Sequence, residues 1–186
     1  MKKEYKILVV CSANKGRSAS YHAHMKHFLK EKKIDHIKID SAGINFPVIE
    51  ELYKIKDLGA DPIVKDIMNK QGIYEINEHK VKAINQKLME EYDLILTYNT
   101  KIRDKINELY PQHKDKVQTV RGYVTGKEGD LPSEALNVDD AYRPDKKLYR
   151  GKMEPKTYKS FSRVVDESKR LAKKTLEKLL QVIGEK

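Results

Sequence analysis

The chain has 186 residues and a formal net charge of +10, with 39% hydrophobic and 35% charged residues. This length predicts one domain over residues 1–186 with a single core. No stretch approaches the ~18 consecutive apolar residues of a membrane span. The single cysteine excludes an internal disulfide, so we expect a reducing, cytoplasmic location.

The positive charge comes from 31 lysines and 7 arginines, which are mostly interleaved with acidic residues. This pattern favours a solvated surface, although the same charge could steer a phosphorylated substrate, nucleic acid or an acidic membrane to the protein. The sequence contains no zinc-knuckle spacing and no Gly-aromatic RNA-binding motif. We therefore expect neither a membrane nor a nucleic acid as partner.

Apolar residues alternate along the chain between a strand-like and a helix-like period. The run from Tyr5 to Cys11 is continuously apolar after Lys6, which is typical of a strand buried on both faces of a parallel sheet. The alternation predicts a three-layer α/β fold with a four-stranded parallel sheet flanked by helices. The predicted strands cover residues 5–11, 37–43, 92–98 and 116–122, and the predicted helices cover 18–31, 61–71, 80–91, 100–110 and 156 onward. Residues 122–156 contain turns without a clear period.

Residues 11–18, Cys-Ser-Ala-Asn-Lys-Gly-Arg-Ser, join the first predicted strand to the first predicted helix. Ligands of parallel sheets bind beyond the carboxyl ends of the strands, and Cys11 lies at such an end. The backbone N–H groups of this loop and of the helix start can bind an anion. The guanidinium of Arg17 can bind two phosphate oxygens at once. Such a positive site favours the thiolate form of Cys11, to which Ser18 could donate a hydrogen bond.

Two interpretations of Cys11 follow from these residues. A single cysteine in an apolar strand is commonly a small core residue. A cysteine between a buried strand and a helix, six residues before Arg17, also fits a nucleophile that attacks phosphorus and forms a phosphocysteine. The loop amides and Arg17 would then stabilise the charge that develops on the phosphate oxygens.

The segment Val-Cys-Ser-Ala-Asn-Lys-Gly-Arg-Ser resembles the signature of the low-molecular-weight protein tyrosine phosphatases, Cys-x-x-Asn-x-Cys-Arg-Ser. Three further segments resemble that family in the same order: DSAG at 40–43, HKVK at 79–82, and DLILTYN at 93–99 for the family's Asp-x-Ile-Leu-x-Met-Asp. The resemblance extends over nearly the whole chain. It implies the flavodoxin-like fold of this family, hydrolysis of phosphotyrosine in phosphorylated proteins, and no cofactor or metal.

The resemblance also assigns site residues. It implies that Cys11 is the nucleophile and that Arg17 binds the phosphate and stabilises the transition state. It further implies that phosphate or another oxyanion is bound by the other loop residues, which are Ser12, Ala13, Asn14, Lys15, Gly16 and Ser18. Ser41 and His79 match family residues that support the loop together with Asn14 and Ser18.

The family's general acid is an aspartate in an Asp-Pro-aromatic segment before the last helix. The only acidic segment in that place is NVDDAYRPD, residues 137–145. Matching Tyr142 to the family's aromatic residue selects Asp140 as the acid, with Asp139 as the competing choice. Tyr142 is then expected to contact the substrate.

Two residues of the loop depart from the family pattern. Gly16 replaces the second cysteine, so the disulfide inside the loop cannot form. Lys15 stands where the tyrosine phosphatases carry Ile or Leu and phosphoarginine phosphatases carry Thr. Two alternatives therefore stay open: a phosphatase for another phosphate group (phosphoarginine, a sugar phosphate or a nucleotide phosphate), and a phosphate-binding protein without turnover.

Three histidines of the first predicted helix, His22, His24 and His27, suggest a metal site at first sight. No carboxylate completes such a site in the sequence, and the histidines lie away from the apolar face of the helix. The sequence predicts a solvated helix surface there and no bound metal.

Overall fold

The four strands of the sheet are all parallel and follow the order β2-β1-β3-β4. The computed structural model of the protein describes residues 4–44, 59–138 and 155–184. The strands are β1 Tyr5–Cys11, β2 Ile37–Gly43, β3 Leu94–Thr97 and β4 Val117–Thr119. The helices are α1 Arg17–Glu31, α2 Pro62–Lys70, α3 Gln86–Glu91, α4 Thr100–Leu109, α5 Val120–Thr125, α6 Ser133–Leu136 and α7 Pro155–Val182, and two 3₁₀ turns cover Tyr74–Glu78 and Pro111–Lys116.

Helices cover both faces of the sheet, so the predicted three-layer α/β fold is confirmed. Side chains alternate between the faces of a strand. Ile7 and Val9 of β1 pack against apolar residues of α1 and α7. Leu8 and Val10 face the opposite side and pack against residues of α3 and α4.

Strand β1 lies at the centre of the sheet, hydrogen-bonded to β2 on one side and to β3 on the other. The β1–β2 register runs from Tyr5 opposite Ile37 to Cys11 opposite Gly43. Because the strands are parallel, their carboxyl ends share one edge of the sheet. Cys11 and Gly43 therefore lie side by side at that edge.

Several elements are shorter than the sequence predicted, and for two of them the structure shows the cause. The predicted helix over 80–91 is helical only in α3, because the residues before it pair with the end of β2. Gly43 N–H donates to Lys82 O over 2.9 Å, and Ile84 N–H donates to Gly43 O over 3.0 Å. The predicted strand over 116–122 ends with β4, since the Thr119 hydroxyl accepts from Gly122 N–H over 3.0 Å and caps α5.

The predicted solvated surface of α1 is wrong for His24. This residue is 0% exposed, and its Nδ1 donates to Ser20 O over 2.9 Å. His22 is half-buried near Ser41, and His27 is half-buried near two carboxylates, Glu31 and Glu75. Helix α1 packs against α2 and α7 as well as the sheet, so little of its surface contacts water.

The described residues contain no group of three His, Cys, Asp or Glu side chains that could hold a metal ion. Over the same ranges, every helix is too short or too polar to cross a membrane.

Acid should destabilise the folded protein because it contains buried neutral histidines. Burial lowers the pKa of His22 to about 3 and of His24 to about 4, and it also lowers the pKa of His79. Below about pH 6.5 the unfolded chain therefore binds more protons than the folded chain. Above that pH these histidines do not lower the stability. As the pH falls below it, the free energy of unfolding should decrease by about 1.4 kcal/mol per pH unit for each histidine.

Urea unfolding between pH 7.5 and pH 5 measures this loss. In His24→Gln the slope of the unfolding free energy against pH should fall by the contribution of one proton. An unchanged slope in that variant would contradict the assignment of His24.

Candidate active site

The loop between β1 and α1 encloses a small site at the carboxyl edge of the sheet, with Cys11 at its base. Cys11 is 3% exposed, and Arg17, the first residue of α1, is 5% exposed. Ser18 Oγ lies 2.9 Å from Cys11 Sγ. The sulfur thus has a polar partner, which a cysteine that only fills the core does not need.

The conformation of the loop depends on Asn14, which is 0% exposed and has a φ angle of 55°. Asparagine is one of the few residues that adopt this left-handed conformation without severe strain. Its side-chain nitrogen donates to Ser18 Oγ and Ser41 Oγ, each over 2.9 Å. Its side-chain oxygen accepts from Lys82 N–H over 3.0 Å.

These bonds give each serine a defined role at the site. Because Ser18 Oγ accepts from Asn14, its own proton can be donated to the Cys11 sulfur. Ser41 Oγ accepts from the same amide and lies 3.3 Å from His22 Nδ1, to which its proton can be donated. The structure therefore brings Asn14, Ser18 and Ser41 into one buried network behind the sulfur.

His79 supports the loop from the segment that precedes α3. Its Nε2 donates to Asn14 O over 2.7 Å, and its ring lies edge-on to His22, with 6.1 Å between ring centroids. Burial lowers the pKa of His79, so the ring is neutral near pH 7 and Nε2 carries its proton. His22 is a site residue that the sequence reasoning missed.

Asp40 lies next to this network and is ionised. Burial alone would raise the pKa of Asp40, but hydrogen bonds from Lys82 Nζ (2.6 Å) and Ser41 N–H (2.7 Å) outweigh it and lower the pKa. Tyr92 donates a third hydrogen bond over 3.1 Å. This carboxylate fixes the end of β2 and therefore the position of Ser41.

Gly43 brings the backbone of β2 directly against the loop. A Cβ atom at this position would lie 2.8 Å from Ser12 O and 3.0 Å from both Ala13 C and Asn14 N. Only glycine permits this approach. The outer residues of the loop, Ser12, Ala13, Lys15 and Gly16, are half-buried.

Arg17 makes a contact at the other side of the site. Its Nη1 donates to Val138 O over 3.2 Å, and its guanidinium carbon lies 5.6 Å from the ring centroid of Tyr98. No sequence pattern indicated Val138 or Tyr98 in this role. Asp139, Asp140 and Tyr142 lie outside the described residues.

This geometry can hold a tetrahedral oxyanion above a nucleophile. Backbone N–H groups of a curled loop, the positive end of α1 and a guanidinium all favour a phosphate group. The sulfur of Cys11 lies at the base of the same loop. In-line attack on phosphorus by that sulfur is the chemistry for which these groups are suited.

Gly43→Ala should damage the site more than the fold. The new methyl group must displace the backbone of residues 12–14, so we expect phosphatase activity to fall more than about tenfold and stability to fall by about 1–3 kcal/mol. Initial rates with an aryl phosphate and urea unfolding measure the two effects. Gly129→Ala is the control, since a Cβ there meets nothing within 4 Å. Unchanged activity in Gly43→Ala would show that the contact does not set the loop position.

Comparison with known proteins agrees with this geometry. Residues 6–182 match the family described as low molecular weight phosphotyrosine protein phosphatase. A protein-arginine-phosphatase of Geobacillus stearothermophilus is 24% identical over 139 residues, which cover 75% of this chain and 84% of that protein.

Solved structures of other proteins share the fold. A low molecular weight protein tyrosine phosphatase from T. tengcongensis has a TM-score of 0.72 and 21% identity, covering 94% of this chain and 99% of that one. The YwlE arginine phosphatase from Geobacillus stearothermophilus has a TM-score of 0.71 and 21% identity, covering 95% of this chain and 94% of that one. With the family match over residues 6–182, these findings place the chain in a family of cysteine-dependent phosphatases. The chain belongs to the low-molecular-weight protein tyrosine phosphatase family.

Proposed function

We propose that this protein hydrolyses phosphotyrosine in proteins through a phosphocysteine intermediate formed on Cys11. The observation that carries the proposal is the position of Cys11 Sγ, which lies at the base of the loop, 2.9 Å from Ser18 Oγ, with Arg17 at the start of α1. Ser18 can stabilise the attacking thiolate with a hydrogen bond. The loop amides and Arg17 can stabilise the transition state.

The proposed reaction has two steps. In the first, Cys11 Sγ forms a bond to phosphorus while the bond from phosphorus to the aryl oxygen breaks, and a general acid protonates that oxygen. In the second, water attacks phosphorus, the general acid now accepts the water proton, and the S–P bond breaks. Phosphate leaves and Cys11 returns to the thiolate.

Asp140 is the proposed general acid, and the described residues before it support this choice. Val138 is 3% exposed, and its carbonyl accepts from Arg17. Asp140 follows Val138 two residues later in the sequence. Asp139 is one residue nearer in the sequence and remains the competing choice.

Lys15 supports phosphotyrosine over phosphoarginine as substrate. The leaving group of phosphoarginine carries a guanidinium, which a lysine in the loop repels, whereas the phenol of phosphotyrosine carries no positive charge. Lys15 is half-buried in the loop between β1 and α1. Phosphoarginine is the second candidate, favoured by the similarity to a protein-arginine-phosphatase.

We further propose that residues 1–186 form one phosphatase domain, which the family match over residues 6–182 supports. The reaction needs no metal or cofactor, because the Cys11 sulfur, the Arg17 guanidinium and the Asp140 carboxylate suffice for both steps. We also propose a cytoplasmic location, since a reactive cysteine needs a reducing compartment.

Cys11→Ser should abolish hydrolysis of p-nitrophenyl phosphate in the presence of EDTA, because the serine hydroxyl is a far weaker nucleophile near neutral pH. We expect the wild-type protein to be active and the variant to lose more than about a thousandfold in kcat. Equal rates in both proteins would contradict the nucleophile. A phosphotyrosine peptide and a phosphoarginine peptide, compared by kcat/KM, test the substrate; a higher value for phosphoarginine would overturn the preference.

Asp140→Ala should lower kcat by about a hundredfold and remove the alkaline limb of the pH profile, because the leaving oxygen loses its proton donor. Asp139→Ala is the matched control and should stay within about threefold of wild type. The pH dependence of kcat between pH 4 and 8 distinguishes the two variants. The reverse result would assign the general acid to Asp139.

A further inference from the structure

Tyr98 is a buried residue with several contacts to the phosphate-binding arginine. It directly follows β3 at the carboxyl edge of the sheet and is 0% exposed. The family's corresponding segment has methionine at this place, so the ring and the hydroxyl of Tyr98 distinguish this chain.

The side chain of Tyr98 contacts Arg17 at two points. Its ring faces the guanidinium, with 5.6 Å between the Arg17 Cζ atom and the ring centroid. Its hydroxyl donates to the backbone oxygen of Arg17 over 2.9 Å and lies 2.8 Å from Ser168 Oγ on α7. The same backbone oxygen also accepts from Ser20 Oγ over 3.0 Å, and Ser168 Oγ lies 3.5 Å from it.

The backbone of Tyr98 is linked to Arg17 by hydrogen bonds through Val138. Tyr98 O accepts from Val138 N–H over 2.9 Å, and Val138 O accepts from Arg17 Nη1 over 3.2 Å. The guanidinium is therefore held against both the ring of Tyr98 and a carbonyl that Tyr98 itself fixes. Burial raises the pKa of Tyr98 well above its ordinary value, so its hydroxyl remains a donor at every working pH.

We propose that Tyr98 is a positioning residue that fixes the Arg17 guanidinium for phosphate binding through its ring and its hydroxyl. This inference rests on the proposed phosphatase function of the same site. An arginine held in place before the phosphate arrives loses less conformational freedom on binding. A buried ring next to a guanidinium also provides a favourable cation–π contact.

The experiment compares Tyr98→Met, which removes the ring, with Tyr98→Phe, which removes only the hydroxyl. Tyr123→Met is the matched control: Tyr123 belongs to the same core, and its ring lies 5.1 Å from a surface cation, Lys178 Nζ. For each protein, calorimetry gives the dissociation constant of inorganic phosphate, assays with p-nitrophenyl phosphate give kcat and KM, and thermal unfolding gives Tm.

We expect Tyr98→Met to weaken phosphate binding and to lower kcat, each by about tenfold, and Tyr98→Phe to change each by about threefold. Tyr123→Met should lower Tm while phosphate binding and kcat stay at the wild-type values. If Tyr98→Met lowers Tm but leaves both values unchanged, Tyr98 only fills the core and the proposal is overturned.

If Tyr98→Met does not fold, Tyr98→Phe decides. A threefold weakening of phosphate binding supports the proposal, and unchanged binding and kcat overturn it. The dissociation constant of inorganic phosphate can be measured even in a protein that hydrolyses no substrate. A wild-type protein that binds phosphate without hydrolysing it would therefore refute the proposed function, while the comparison of variants would still decide the role of Tyr98.

Discussion

The left-handed backbone of Asn14 is the constraint on which the rest of the site depends. A φ angle of 55° turns the chain back over Cys11, and the buried side-chain amide then holds that turn in place. Each polar atom of this side chain has a partner, which is what a buried amide requires. The bonds reach Ser18 and Ser41 and so connect the sulfur, the loop and the end of β2. The curled conformation of the loop therefore depends on this network.

The sheet determines the position of the hydrogen-bond network around Asn14. Strand β1 is central and pairs with β2 on one side and with β3 on the other, and Cys11 at its end pairs with Gly43 of β2. Burying polar groups beside a sulfur is costly unless all of them are hydrogen-bonded. His79 and Asp40 complete the bonding, and burial keeps His79 neutral near pH 7. Because this burial disfavours the protonated ring, we also expect it to make the folded protein less stable in acid.

Local patterns sufficed to predict much of the fold and the loop. The continuous apolar strand and the spacing from Cys11 to Arg17 were visible in the sequence, and the resemblance to the family indicated the segments containing Ser41 and His79. Contacts between distant segments were not. The residues before α3 are extended because they pair with Gly43, and His24 is buried because α1 is covered on several sides. No local pattern contains such information, and none indicated that Tyr98 lies against Arg17.

The contact of Gly43 with the loop has a consequence for engineering. The loop is supported by the backbone of Gly43, which lies against Ser12, Ala13 and Asn14, and by the side chain of Asn14. A Cβ atom at Gly16, by contrast, meets nothing within 4 Å. We therefore expect that position 16 can be varied in a library while the loop keeps its shape. Such a library would separate the preference for a leaving group from the ability to bind phosphate.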